Sequence, residues 1–282
     1  MIYTRLHGGL GNQLFQYAAG RALALRHRTG LAIDDRILPE IGFRLCQQHF
    51  DWKVKTPSKL PPVKSDGLIR YGAWRLLGKT PSLRREKGLG YDASFENWGE
   101  DTYLHGYWQT ERYFSAVKAD IRNDLKIVTP SSTQNAEMAA RITETNSVSL
   151  HVRRGDYLAL AAHNVCTESY YQAALKQVVD VTETTPHVFV FSDEPKWARD
   201  NLPLDYEKTI VDFNGPETDY EDLRLMSLCQ HNVIANSSFS WWGGWLNANP
   251  DKVVAGPAKW FGNNKMYNPD ILPETWLRIN TS

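Results

Sequence analysis

The stretch HVRRGDY at 151–157 sets two arginines side by side in front of a glycine. If the apolar strand SVSLHV runs through Val152, two-residue alternation aims His151 and Arg153 the same way and leaves Arg154 to open the turn. Two planar guanidiniums at a strand's carboxyl end, with Gly155 behind them, form a multidentate clamp suited to phosphate. The competing use is a structural ion pair between one arginine and Asp156, since arginine bonds carboxylates readily. A second anion site is expected at SSFS, where Ser237, Ser238, Phe239 and Ser240 stand at a helix start and join hydroxyls to unpaired backbone N–H groups. An ordinary serine cap is compatible with that use. Ser192 and Asp193 follow HVFVF, where a carboxylate serves either ribose hydroxyls and a purine edge or the cap of the helix starting near Pro195.

A metal-dependent nucleotide-sugar site is disfavoured. No D-x-D triplet occurs, Asp205-Tyr206-Glu207 and Asp219-Tyr220-Glu221 being looser variants, and no His/Cys group has metal-ligand spacing. Neither a metal nor a cofactor is therefore expected. HGGLGNQLF at 7–15 looks like a dinucleotide turn, yet the position three after Gly11 is Leu14 instead of glycine or alanine.

These residues need elements to position them. Ile2 to Leu6 reads as a strand, Asn12 to Arg28 as a helix with apolar positions at Leu14, Phe15, Ala18, Ala22 and Leu25, and Leu31 begins a second strand. From Pro39 to Asn97 proline and glycine break every period, so no element is placed there. A strand at YLHGYWQ and a helix from Glu111 to Leu125 follow, then the polar connection TPSSTQN, with a domain boundary at Pro130 to Asn135. Beyond it strands and helices alternate: SVSLHV, SYYQAALKQVV, HVFVFS, PKWARDNL, KTIV, DYEDLRLMSLC, NVIAN, FSWWGGWLNA and KVVAG. That alternation predicts an α/β fold with a parallel sheet, whose ligands sit beyond the carboxyl ends of its strands.

Composition narrows the partners. With 32 basic and 32 acidic residues the formal charge is zero, so nucleic acid is not an expected partner. Cys46, Cys166 and Cys229 show no C-x-x-C pair and read as reduced filler, and no run of about 18 apolar residues occurs, which together predict a soluble, unexported, cytoplasmic protein. Ten tryptophans suit sugar or base stacking as well as core packing, although Trp241 and Trp245, one turn apart, read as a buried helix face.

Taken together, GGLGNQLFQYAAGRALAL, GYWQTERYF, HVRRGDY, FSDEPKW and NVIANSSFSWWGGWLN resemble the bacterial alpha-1,2-fucosyltransferases, glycosyltransferase family 11, over residues 8 to about 262. The resemblance implies a GT-B-type fold, two Rossmann-like domains with parallel sheets facing across a cleft. Residues 1–130 would form the acceptor side and 131–282 the GDP-fucose side. It implies inverting, metal-independent transfer of L-fucose to the 2-hydroxyl of a galactose-containing glycan, whether lactose-type, galactosyl-N-acetylhexosamine or an O-antigen repeat. It puts Arg153 and Arg154 on the diphosphate, His151 near the guanine, the SSFS loop over the phosphates and Asp193 at the nucleoside, with Glu194 standing where a second aspartate is expected. In this reading GGLGNQ is a close-approach turn that lets backbone and Asn12 reach the transferred fucose and its acceptor.

Three groups are candidates for the general base, His7, Asp156 and Glu168, and a well-stabilised leaving group is the alternative to any dedicated base. Arg70, Arg75, Lys79, Arg84, Arg85 and Lys87, against the single acid Glu86 and interleaved with Trp74, Leu76 and Leu77, read either as a peripheral docking segment for the inner face of a membrane or as a solvated insertion. The functional alternatives are a non-catalytic carbohydrate-binding protein and an NAD-dependent oxidoreductase built on the first glycine turn.

Overall fold

In the computed structural model every residue is described except 58, 64–65, 78–79, 156–164, 264–265 and 282. Two compact units divide the chain, Met1–Val128 with Pro269–Ile271, and Thr129–Asn268 with Leu272–Ser282.

The first unit runs β1 (Ile2–Arg5), α1 (Leu10–Arg26), β2 (Leu31–Asp34), α2 (Leu68–Leu76), β3 (Ser82–Arg85), β4 (Thr102–His105) and α3 (Lys118–Asp124). Its sheet has the order β2-β1-β4-β3, all parallel. Leu14, Phe15, Tyr17, Ala18 and Leu23 of α1 are fully buried. Close packing is possible because Gly20 has no side chain: a Cβ there would lie 2.9 Å from Leu31 Cδ1 and 3.1 Å from Thr4 Cβ. The helix starts at Leu10, ahead of the expected Asn12, and ends at Arg26, with Arg28 already at φ 51°.

One stretch left open is filled in this unit, and one expectation fails. Among its described residues the stretch 39–97, left without elements, contains α2, the edge strand β3 and the 3-10 turns Pro39–Ile41, Gln47–His49 and Ala93–Asn97. The helix expected from Glu111 to Leu125 is instead two 3-10 turns, Glu111–Tyr113 and Ser115–Val117, followed by α3. Phe114 leaves the helical region at φ −132°, because neighbouring rings are buried in different places. Tyr113 meets Phe95 and Trp108 at 4.9 and 5.4 Å between centroids, whereas Phe114 meets Phe15 at 6.3 Å.

The second unit runs α4 (Thr133–Thr143), β5 (Ser147–Val152), α5 (Glu168–Thr182), β6 (His187–Ser192), α6 (Pro195–Asn201), β7 (Lys208–Val211), α7 (Asp219–Leu228), β8 (His231–Val233), α8 (Ser238–Leu246), β9 (Val254–Pro257) and β10 (Leu277–Ile279). The alternation read from the sequence is present, with α4 and β10 added. Ser132, within the stretch read as a connection, caps α4 by accepting from Asn135 N at 3.2 Å. The parallel strands are ordered β10-β9-β8-β5-β6-β7. Numbered from β5 as one, that order is 6-5-4-1-2-3, the dinucleotide-fold arrangement, whose switch point lies between the first and fourth strands. All six residues of β5 are buried, and Val148, Leu150 and Val152 pack against Tyr170, Ala174 and Leu175 of α5 within one core cluster. Among the described residues no helix is long and apolar enough to cross a membrane.

Candidate active site

The switch point of the second sheet lies between β5 and β8, and the segments leaving those strands are the arginine motif and the serine loop. His151, at the end of β5, is 4 % exposed, and its Nδ1 is buried without a hydrogen-bond partner. Burial, helped by the positive charge of Arg153, pushes its pKa down to about 3, so the ring is neutral at pH 7. Its ring lies 5.6 Å from that of Phe239, so the end of β5 meets the start of α8.

The arginines engage the next strand's end. Arg153 Nε lies 3.3 Å from Asp193 Oδ2, and Arg154 Nε 3.2 Å from Glu194 Oε2. Asp193 also accepts from the backbone N–H of Arg154 at 3.0 Å. Each arginine thus has a carboxylate partner just after β6, while Asp156, the partner weighed from the sequence, lies outside the described residues. Gly155 permits the close approach, since a Cβ there would come within 2.7 Å of Asp193 Oδ2. Asp193 does not cap the following helix. Ser192 Oγ accepts from Glu194 N at 3.0 Å, and α6 has no side-chain cap. Trp197 in α6, not singled out as a site residue from the sequence, supports the Arg154 guanidinium, whose Cζ stands 3.5 Å from the ring centroid.

In the serine loop Ser237 is the N-cap of α8, accepting from Phe239 N at 3.3 Å, so the cap reading holds there. Ser240 is buried and donates to Ser237 O at 3.4 Å, while Ser238 and Phe239 are half-buried. The helix is held by its own glycines and tryptophans. A Cβ on Gly244 would lie 2.9 Å from Val254 Cγ1, and one on Gly243 3.0 Å from Met226 Cβ. Trp241 and Trp245 stack at 6.3 Å as the buried face expected of them. Of the ten tryptophans eight are buried, so most serve packing and not sugar stacking. The thiols fit filler roles: Cys46 and Cys229 are buried, and burial pushes Cys166 up to about 12.

In the first unit the sheet order places its switch point between β1 and β4. His7, after β1, and Tyr107, after β4, meet there, with centroids 4.6 Å apart and Tyr107 Oη 3.3 Å from His7 Nε2. They line a hollow of about 250 Å³ together with Arg5, Arg85, Glu86, His105 and Gly106. Burial lowers the pKa of His7, and drives that of His105 to about 4 with help from Arg5 and Arg85, so both rings are neutral at pH 7. The glycine turn is pinned by two buried glutamines that the motif reading missed. Gln16 Oε1 accepts from His7 N at 2.9 Å and its Nε2 donates to His7 O at 3.1 Å, while Gln13 Nε2 donates to Gly8 O at 3.0 Å. Asn12 Oδ1 accepts from Gln109 Nε2 at 2.8 Å, and Gly8, at φ +85°, leaves Asn12 the space a side chain would fill. Gln16→Ala is expected to cost about 2–3 kcal/mol of unfolding free energy by stranding two backbone groups, with Gln16→Glu recovering part of it, as measured by urea denaturation.

A model of glycosyl transferase family 11 matches residues 89–280. The chain belongs to that family. It is 33% identical to an alpha-1,2-colitosyltransferase of Escherichia coli over 99% of each chain, and 32% identical to the O-antigen biosynthesis glycosyltransferase WbnK of Escherichia coli over 99% of this chain and 100% of the other. A galactoside 2-alpha-L-fucosyltransferase of Caenorhabditis elegans is 29% identical over 100% of this chain and 80% of its own length. The structure of FUT1 of Arabidopsis thaliana in complex with GDP shares the fold at TM-score 0.50 and 13% identity, covering 94% of this chain and 71% of that one. This family 11 member is accordingly a glycosyltransferase with two parallel-sheet α/β regions, and its glycine turn does not belong to an NAD-dependent oxidoreductase.

Proposed function

We propose that the chain transfers L-fucose from GDP-fucose to the 2-hydroxyl of a galactose-type glycan, with inversion and without a metal, on a GT-B-type fold with residues 1–130 as acceptor side and 131–282 as donor side. The observation that carries this reading is the paired arginines at the switch point of a sheet in dinucleotide-fold order, in a chain of glycosyl transferase family 11. The acceptor oxygen bonds to the anomeric carbon as that carbon's bond to the diphosphate breaks, and the electron pair departs on the diphosphate. Arg153, Arg154 and the first-turn N–H groups of α8 meet that developing charge, so they stabilise the transition state more than the ground state. Ser237, Ser238 and Ser240 belong to the phosphate side of this site, with His151, Ser192 and Asp193 on the nucleoside side.

The proton of the acceptor hydroxyl needs a destination. His7 takes that role in this reading because its imidazole is neutral and it lines a polar, aromatic hollow of sugar size with Tyr107 and Glu86. Glu168 is exposed at the start of α5, which suits a base poorly. Asn12 and the glycine turn border the acceptor.

The similarity to an alpha-1,2-colitosyltransferase favours a second reading, in which the transferred sugar is colitose, which is L-fucose lacking the 3-hydroxyl. The likeness to WbnK points the acceptor toward an O-antigen repeat. One experiment separates these readings: incubation of GDP-fucose, or of GDP-colitose, with a panel of galactose-terminated glycans, followed by linkage analysis. Melting curves provide a binding control. GDP at a hundred times its Kd is expected to stabilise the protein by about 2.7 kcal/mol, while free sugars alone do not. Stabilisation by sugars without GDP, and no product from either donor, would make it a non-catalytic carbohydrate-binding protein.

A further inference from the structure

Helix α2 faces the protein with its aromatic side and the solvent with its aliphatic side. Tyr71 is buried, and Trp74 donates from Nε1 to Pro81 O at 3.1 Å and meets Tyr103 edge-on at 5.4 Å. At 3.6 residues per turn, Leu68 falls on the flank next to Tyr71, and Ile69 and Leu76 fall on the side opposite Tyr71 and Trp74. Their exposures are 73%, 90% and 86%, and Leu77, at the C-cap, is 64% exposed. Among the described residues, these make four of the ten large apolar side chains that stand exposed, gathered on one nine-residue helix and its C-cap. Burying so little while showing so much aliphatic surface is unfavourable in water and calls for an occupant.

The surroundings identify its chemistry. Beside α2 lies a hollow of about 450 Å³ lined by Arg75, Arg84, Arg85 and Lys87, with Trp74 and Trp98 among its apolar walls and Asp92 as its acid. Aromatic rings hold two of the cations: Arg75 Cζ lies 5.6 Å from the Tyr71 ring, and Arg84 Cζ 5.6 Å from that of Trp98. Arg70 is exposed on the far flank of the helix, and Lys79, also in this basic stretch, lies outside the described residues. A second copy of the chain is a poor occupant, because a two-fold interface would set these cations against themselves.

We propose that α2 and the cationic hollow beside it dock on an anionic lipid bilayer. The helix lies in the interface plane with Ile69 and Leu76 among the acyl chains, and Arg75, Arg84 and Lys87 rest on headgroup phosphates. Co-sedimentation of the full chain tests it, with vesicles of phosphatidylcholine containing phosphatidylglycerol against vesicles of phosphatidylcholine alone. The wild type is expected to pellet with the former only. Arg84→Ser with Lys87→Ser is expected to weaken that binding about thirtyfold, two cations being removed from the surface. Ile69→Ser with Leu76→Ser is expected to abolish it, with both melting temperatures unchanged. No pelleting with phosphatidylglycerol vesicles, equal pelleting with both kinds, or retention by both double variants would overturn the proposal. Self-association of the wild type, lost in the Ile69/Leu76 variant without any vesicle binding, would also overturn it and assign the helix to a second copy. None of these readouts requires glycosyl transfer, so the docking surface stands or falls apart from the assignment of the sugar.

Discussion

Arg153→Ala and Arg154→Ala are each expected to lower turnover by about two to three orders of magnitude, a loss of about 3–4 kcal/mol of transition-state stabilisation. The size follows from when the charge appears. A bound nucleotide sugar spreads its negative charge over two phosphoryl groups, and only as the glycosidic bond breaks does another full charge collect on the bridging oxygen. A guanidinium aimed there before reaction needs no reorganisation during it. Contacts that would hold such aim are made on folding, since Asp193 bonds Arg153, Glu194 bonds Arg154, and the Trp197 ring lies against the Arg154 guanidinium. An arginine without those contacts would lose side-chain freedom on binding each ligand; these have lost it on folding. Arg154→Lys keeps the charge but not the fork or the flat contact with Trp197, so it is expected to recover only part of the loss. Steady-state rates with saturating donor distinguish the outcomes: near-normal turnover in both alanine variants would remove the clamp from the mechanism.

How far the sequence foretells this site depends on what kind of neighbour each residue has. Strands β5, β6 and β7 are legible because a sheet covered on both faces writes continuous apolar runs, SVSLHV, HVFVFS and KTIV, between turn residues. The first unit hides its elements for the converse reason. Strand β3 is SLRR, an edge strand whose arginines face solvent, and α2 points its aliphatic side outward, so neither carries a pattern directed at a core. Helix α4 buries only Asn135 and Ile142, which leaves its serine cap as the sole signal. The arginine motif announces anion chemistry by residue type alone, but its carboxylate partners lie 40 residues on, at the next strand's end. Local spacing points to Asp156, which lies outside the described residues; strand pairing of Val152 with Ser192 brings Asp193 and Glu194 alongside the motif. Gln13 and Gln16 are legible only in retrospect, because a buried glutamine looks like a polar interruption until the turn it bonds is known.

Asp222→Asn is expected to stabilise the protein by about 3–4 kcal/mol at pH 8 and to leave it unchanged near pH 4. Asp222 lies in the first turn of α7, beyond the carboxyl end of β7, where the helix dipole favours negative charge by up to about 1 kcal/mol. Burial opposes that term and wins, pushing the carboxyl up to about 7 despite the bond donated by Asn214 Nδ2 at 2.7 Å, with the charges of Asp219 and Glu221 adding to the shift. Asp219 is raised to about 6, also by burial, whereas Glu221 is paired with Arg224 at 2.8 Å. Because the folded chain holds its proton more tightly than the unfolded one, raising the pH from about 4 through about 7 removes stability, at about 1.4 kcal/mol for each unit separating the two pKa values. Asparagine retains an oxygen for Asn214 and has nothing to ionise, so its advantage grows across that window and is constant above it. Urea denaturation of both proteins at pH 4, 6 and 8 reads the difference. A variant equally stable or weaker at pH 8 would mean that the wild-type carboxylate is satisfied by its surroundings, and that the acids at the start of α7 hold charge at neutral pH beside the end of the nucleotide-fold sheet.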